Sequence, residues 1–290
     1  MDQSQENFQV NPDDGSQGIY AKMNPILEQW KNDYNFVGSY YINIGNNPAE
    51  ERFTNWPLSK VYYNQILALG NEIGTHSYTH LLDYAPIAND TNALTPQQLE
   101  FEFNQSKAVI EQQLGIKIVG AAVPGQPEGL YVNEELRKYL PYVTGGYSSV
   151  GAGYPGAFGF MFQGDDYVYF APNMSFDFSL IGFKKLTAQQ AELVWQQEYQ
   201  EIVNNAAQPI VLFPWHDYGP TLTEPGYTEA MYTNFIARAY NDNTEFVTFA
   251  DLYQRIITFE KSQLFIDQNG NTITAKVNSN DVGKFGLKYR

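Results

Sequence analysis

The sequence predicts an α/β fold on a mostly parallel sheet, closing as a (β/α) barrel, and three observations carry that prediction. Apolar runs of strand length alternate with stretches of helical period from Phe36 to Phe249. The chain has 290 residues, 43% of them hydrophobic, which is enough for one such domain with a full core. The residues richest in chemistry, Asp13-Asp14, His76 and His216, each follow a strand, where parallel α/β sheets assemble their sites.

The elements justify this one by one. Phe8 to Val10 is a short apolar run ending in the turn cluster Asn11-Pro12-Asp13-Asp14-Gly15. A helix is predicted from Ala21 to Asp33, with Ile26, Leu27 and Trp30 on one face. Phe36 to Ile44 reads as a buried strand. Val61 to Leu69 is a helix stopped by Gly70, and Ile73 to His76 is a short strand running into a turn. Thr95 as N-cap and Pro96 in the first turn start a long helix, which runs to Leu114 and stops at Gly115. Ile116 to Val123 is a strand closed by Pro124-Gly125. A helix near Asn133 to Lys138 and strands near Tyr142 to Thr144 and Tyr167 to Phe170 continue the alternation. Helix Ala188 to Asn204, strand Pro209 to Phe213, helix Glu229 to Tyr240 and strand Phe246 to Phe249 complete it.

Two stretches break the rhythm. Gly145 to Gly164 is rich in glycine and aromatics without periodicity, and long loops of this kind in compact domains are functional or mobile. From about Glu260 the character changes again: Leu264 to Ile266 and Thr272 to Val277 read as a β-hairpin around an Asn269-Gly270 turn. The expected organisation is a domain over residues 1–258 and a β extension, or the start of a further β domain, over 259–290.

Composition narrows the function. Tyr (22) and Phe (19) are frequent; such rings build cores or stack on sugar faces, and composition by itself favours the core. The net charge of −15, with no basic stripe, would repel nucleic acid and excludes it as a partner class. The chain has no cysteine, which excludes disulfides, thiolate metal sites and cysteine nucleophiles. No apolar run is long enough to span a bilayer. MDQSQENFQV has no basic region followed by an apolar stretch and is not read as a signal peptide. The chain is therefore expected to be cytosolic, or else a mature form or an excised domain.

Three histidines are present, each in a plausible site context. His76 and His80 stand four apart in His76-Ser77-Tyr78-Thr79-His80, a spacing from which two imidazoles can converge on one metal. Imidazole suits zinc, and also cobalt, nickel or iron. The same spacing arises by chance in packed or surface histidines; the scarcity of histidine and the preceding strand and Gly74-Thr75 turn favour ligands. A third ligand is sought at Asp83 or, better, at Asp13-Asp14, where one carboxylate can bind the cation while the other stays free. Asn-Pro-Asp-Asp-Gly is equally good turn chemistry by itself. His216, in Phe213-Pro214-Trp215-His216-Asp217, is either a general acid for a leaving amine or a neutral histidine in an aromatic wall. Neither a Gly-x-Ser-x-Gly elbow nor a phosphate-binding loop is present. A glycosidase needs only two carboxylates and remains open.

In order, Asp13-Asp14-Gly15, the stretch KMNPILEQWKNDYNFVGSYYINIGN, His76-Ser77-Tyr78-Thr79-His80 and the strand ending Val211-Leu212-Phe213-Pro214-Trp215-His216 resemble the NodB-type polysaccharide deacetylases of carbohydrate esterase family four. The resemblance spans about residues 8 to 255. It implies a distorted (β/α) barrel with one divalent metal, Zn2+ or else Co2+ or Ni2+, held by Asp14, His76 and His80. It makes Asp13 the catalytic base and His216 the catalytic acid in hydrolysis of N-acetyl groups from an amino-sugar polymer. The metal would polarise the acetyl carbonyl and acidify its water.

The chain departs from the family at its third motif, Arg-x-Pro-Tyr/Phe-Gly. Here Ala122-Val123-Pro124-Gly125-Gln126-Pro127-Glu128-Gly129 has no arginine to orient the base. With the glycine-aromatic loop, this looks closer to the divergent deacetylases of Pel-type and galactosaminogalactan exopolysaccharides. Trp215, Tyr147 and Pro124 are the expected substrate-binding residues. Location in the periplasm or outside the cell, and partnership with other exopolysaccharide synthesis or secretion proteins, follow by analogy. The competing expectations are a carbohydrate-binding or assembly module with a degenerate site, and a glycoside hydrolase on a similar barrel.

Overall fold

The computed structural model describes residues 19–45, 54–80, 94–124, 130–145, 158–162, 164–221 and 226–279. Asp13, Asp14, Asp83 and Tyr147 lie outside the described residues. The chain runs α1 (Tyr20–Tyr34), β1 (Ser39–Ile42), α2 (Trp56–Ala68), β2 (Glu72–Thr75) and α3 (Pro96–Leu99). A π-helical turn (Glu100–Gln105) joins α3 to α4 (Ser106–Leu114). Then come β3 (Gly120–Ala122), α5 (Leu130–Leu136), β4 (Tyr142–Thr144), β5 (Gly159–Met161) and β6 (Val168–Phe170). The last elements are α6 (Ala188–Asn205), α7 (Glu229–Asn241), α8 (Phe249–Glu260), β7 (Gln263–Asn269) and β8 (Thr272–Asn278).

Local chemistry sets the helix ends. The Thr95 hydroxyl accepts the Gln98 N–H at 3.2 Å while the Gln98 side chain accepts the Thr95 N–H at 2.8 Å, a reciprocal cap that starts α3. Thr187 and Gln190 repeat it at α6. Gly115 stops α4 with φ +69°, a left-handed conformation that costs glycine little.

The α/β architecture with a mostly parallel sheet is as expected. Among the described residues, six strands lie in the order β1-β2-β3-β4-β6-β5, parallel except for β5 against β6. One face of the sheet carries Tyr41, Tyr142, Val168 and Phe170, packed together with Leu212 and with Phe249 at the start of α8. Glycines make room for these rings. A Cβ on Gly74 would lie 2.5 Å from the Tyr41 ring, and one on Gly120 would lie 1.9 Å from Tyr142. The Tyr41 and Tyr142 hydroxyls meet at 3.1 Å, and Tyr142 donates to Glu72 at 2.6 Å. Glu72 also accepts the Ala250 N–H, so one carboxylate ties the start of β2 to the start of α8. The other face packs against the helices through a larger core around Trp30, Tyr63, Phe103, Trp195 and Tyr232.

The structure corrects three expectations about elements. Residues 209–213 and 246–248 join no strand ladder. The Asn173 side chain takes over instead, donating to the Ile210 carbonyl at 2.7 Å and accepting the Leu212 N–H at 2.8 Å. A cavity of about 450 Å³ opens beside these segments, lined by Phe36, Tyr40, Phe213 and Phe246 among others. The glycine-aromatic stretch contains an unpredicted strand, β5, at the sheet edge. Phe249 starts helix α8 rather than ending a strand, with the Thr248 hydroxyl accepting the Asp251 N–H as cap. Beyond it the β7–β8 hairpin pairs in register from Gln263↔Asn278 to Asn269↔Thr272, and all its strand residues are exposed.

Candidate active site

His76 leaves the C-terminal end of β2, its N–H bound to the Ile42 carbonyl of β1 at 2.7 Å. The side chain is buried, and Nδ1 lies 2.9 Å from the Ala122 carbonyl at the end of β3. A carbonyl can only accept, so Nδ1 carries the proton and Nε2 presents its lone pair away from the strand. The His80 ring stands across it, centroids 4.9 Å apart and 75° between planes. The turn that brings them together is unusual backbone: Ser77 and His80 both have positive φ, 72° and 56°. It is held from within by the Ser77 hydroxyl, which accepts the His80 N–H at 3.0 Å. It is held from α3 and α4 by Glu102, whose carboxylate accepts the N–H groups of Tyr78 and Thr79 at 3.0 and 2.9 Å.

His216 is built differently. Its backbone N–H and ring Nδ1 both bond to Asp177, at 2.9 and 2.8 Å. Asp177 is fully buried and also accepts the Phe178 N–H at 2.6 Å and the Tyr232 hydroxyl at 2.9 Å. The segment before it is gripped from α6, where Trp195 Nε1 donates to the Ser175 carbonyl and Glu198 accepts the Ser175 N–H, both at 2.8 Å. The imidazole sits in an aromatic box. Tyr218 stacks on it at 4.6 Å, and Phe176 stands edge-on at 4.4 Å. Burial, with Asp177 nearby, pushes the Tyr218 and Tyr227 hydroxyls up, Tyr227 to about 12. Both phenols therefore stay neutral near pH 7, Tyr218 on the His216 ring and Tyr227 against Tyr218.

The two histidine sites share one end of the sheet. A crevice of about 40 Å³ is lined by Ala122, Thr144, Pro172, Phe176 and Trp215, at or just past the C-terminal ends of β3, β4 and β6. Ala122 holds His76, while Phe176 and Trp215 flank His216.

Trp215, expected to bind substrate, lies mostly within the core. It is 4% exposed and packs against Trp30, Tyr40 and Tyr232, with centroids 5.6 to 6.4 Å apart. The position alternates with His216 along an extended segment, so when His216 faces the site Trp215 turns to the helix layer. Pro124 is buried at the end of the β3 segment. Asp217 is fully buried, near Tyr20, whose hydroxyl is pushed up by burial and then by the Asp217 charge.

Among the described residues, no group of three His, Asp or Glu side chains is placed to hold a metal ion. The donor set nevertheless fits a divalent cation so far as it is described. His76 has its tautomer fixed by a backbone carbonyl, the usual arrangement for a ligating histidine, and His80 faces it at ligand-pair distance. Asp177, Glu102 and Tyr232 were not legible as site residues. Asp177 stands 39 positions before His216, and no local spacing announces a partner at that distance.

Residues 7–140 match the family model described as polysaccharide deacetylase. That span includes Asp13, Asp14, His76 and His80 but not His216. None of the curated proteins matches the chain. Among solved structures, one from Mycobacterium smegmatis described as a polysaccharide deacetylase aligns with TM-score 0.61 at 15% identity, over 89% of this chain and 88% of its own. One from Pseudomonas aeruginosa, described in the same way, aligns with TM-score 0.56 at 13% identity, over 87% and 82%. A mutant of a Bacillus anthracis CE4 pseudoenzyme with restored activity aligns with TM-score 0.50 at 11% identity, over 87% and 65%. At these identities the structures establish the fold, and the family match supports the resemblance over residues 7–140.

Proposed function

We propose that this chain, with its polysaccharide deacetylase match over residues 7–140, is a metal-dependent hydrolase that removes N-acetyl groups from an amino-sugar exopolysaccharide. Two observations support the reading: His76, with Nδ1–H fixed by a backbone carbonyl, faces His80, and His216 is buttressed by Asp177. His76, His80 and Asp14 would hold the cation, Zn2+ or else Co2+ or Ni2+, which when bound polarises the acetyl carbonyl and acidifies water.

The protein's own groups handle the protons. Asp13 takes a proton from the attacking water. His216, holding Nδ1–H against Asp177, is left with Nε2 for transfer, and from Nε2 it protonates the departing nitrogen so that an amine leaves. Asp177 keeps the ring oriented and stabilises its charged form. The amino-sugar substrate, N-acetylgalactosamine or N-acetylglucosamine polymer, is shared with the likeness to exopolysaccharide deacetylases. Action in the periplasm or outside the cell, alongside secretion components, belongs to the same reading. So does a catalytic unit over residues 1–258 carrying a β extension over 259–290. Among the described residues, no helix is long and apolar enough to cross a membrane.

One observation favours a second reading: residues 122–129 lack the arginine expected to orient the base. A degenerate module that binds carbohydrate without turnover would account for it. Acetate release from both polymers, metal-free and with added zinc, cobalt or nickel, and with His76→Ala as control, separates the two. Zinc-dependent acetate lost in the variant supports the hydrolase. A folded wild type that releases none from either polymer under any of the three metals overturns it.

A further inference from the structure

We propose that Glu102 is a positioning residue for the metal-binding turn: by gripping the backbone of Tyr78 and Thr79 it sets the affinity of His76 and His80 for a divalent cation. The proposal rests on the reading of those histidines as metal ligands.

The turn needs an outside hold. Two of its five residues, Ser77 and His80, adopt left-handed backbone that L-residues avoid, and neither is glycine. Conformations of this kind persist where the surroundings over-determine them. The Ser77 hydroxyl supplies one internal bond, to the His80 N–H. Glu102 supplies three from outside. One carboxylate oxygen accepts both backbone N–H groups, and the other accepts the Thr79 hydroxyl at 2.5 Å. These bonds fall on the two residues between Ser77 and His80, so they fix the path by which one imidazole is brought over the other.

Glu102 is 3% exposed, an uncommon place for a carboxylate unless its partners repay desolvation. It lies on the π-helical turn between α3 and α4. A one-residue insertion there rotates the following side chains by about 100° around the helix, given 3.6 residues per turn. The neighbouring contacts follow the same design: Phe101 stacks on Tyr78 at 4.6 Å, and the Ser106 and Thr75 hydroxyls meet at 2.6 Å. The helix thus holds the chain at Thr75, Tyr78 and Thr79, on both sides of His76.

Zinc affinity, measured on the full chain by competition with a chromogenic chelator, tests the idea together with amide hydrogen exchange at Tyr78 and Thr79 in metal-free protein. Glu102→Ala should bind zinc about 10- to 100-fold more weakly, the usual effect of losing a group that orients ligands. It should also lose protection at both amides. Glu102→Gln keeps an acceptor for the two N–H groups and should retain protection while losing only part of the affinity. Thr79→Val removes the hydroxyl arm alone and covers the case in which Glu102→Ala does not fold. Wild-type zinc affinity in Glu102→Ala, or in both Glu102→Gln and Thr79→Val if the alanine variant is unfolded, overturns the proposal and leaves the metal site standing. Wild-type protein that binds zinc no better than His76→Ala overturns the metal reading and this proposal with it.

Discussion

Asp177 holds His216 twice, accepting the ring Nδ1–H at 2.8 Å and the backbone N–H of the same residue at 2.9 Å. Fixing main chain and ring with one buried carboxylate leaves the imidazole no freedom to turn its Nε2 away. An asparagine at 177 can offer its NH2 to Nδ1 and so favour the opposite tautomer. Asp177→Asn should lower the rate of acetate release about 100- to 10,000-fold, the range spanned by general acid–base groups. Zinc affinity should be unchanged. Steady-state rates over a pH series would check this; an unaltered rate would remove His216 from the role of acid.

Gly219 sits against the same carboxylate. A Cβ there would lie 2.0 Å from the Tyr232 hydroxyl and 3.0 Å from Asp177 Oδ2. Gly219→Ala must therefore push Tyr232 off Asp177. Overpacking of this kind costs about 1–3 kcal/mol, to be read from denaturant unfolding. Activity should fall further than the loss of folded protein explains, because the displaced hydroxyl is one of Asp177's donors.

Glu72 gives a pH signature away from the site. Burial pushes its carboxyl above the ordinary value of 4.5, outweighing the hydrogen bonds from Ser39, Tyr142 and the Ala250 N–H that pull it down. A raised native value means that the folded chain keeps this proton to higher pH than the unfolded one. Its contribution is full below 4.5 and declines as pH rises through the raised native value. Glu72→Gln cannot titrate. The stability difference, wild type minus variant, should therefore shrink as pH rises from 4.5 toward neutrality. Paired thermal melts would show it, and a difference that grows with pH would mean that the hydrogen bonds win.

Trp215 behaves as core. Replacing it with alanine should destabilise the fold by about 3–5 kcal/mol, as for other buried tryptophans, with zinc and polymer affinity falling together. Melting temperature and both affinities decide it. Loss of polymer binding alone, in a fully stable variant, would return Trp215 to the substrate surface.

Much of the architecture was legible. Helices α1, α3, α4, α6 and α7 announce themselves by period or by caps such as Thr95 and Gly115, because their hydrogen bonds close within a few residues. The strand at Tyr142–Thr144 is a short apolar run with nowhere else to go. The misreadings were non-local. Residues 209–213 have the composition of a strand, but whether a ladder forms depends on the neighbouring backbone, and here Asn173 occupies that role. Phe249 is apolar and β-prone, yet Thr248 caps a helix there.

The candidate site divides along the same line. The sequence by itself narrowed the candidates for metal and proton chemistry, because three histidines in 290 residues leave few choices and the His76–His80 spacing is local. Only the tertiary structure decided how they are held: which nitrogen of His76 carries its proton, that Asp177 buttresses His216, that Glu102 grips the turn, and that Trp215 faces inward. The reason is physical. Identity and spacing are properties of the chain, whereas a hydrogen bond across 39 residues, or the side of an extended segment that meets the core, exists only once the sheet and helices are packed.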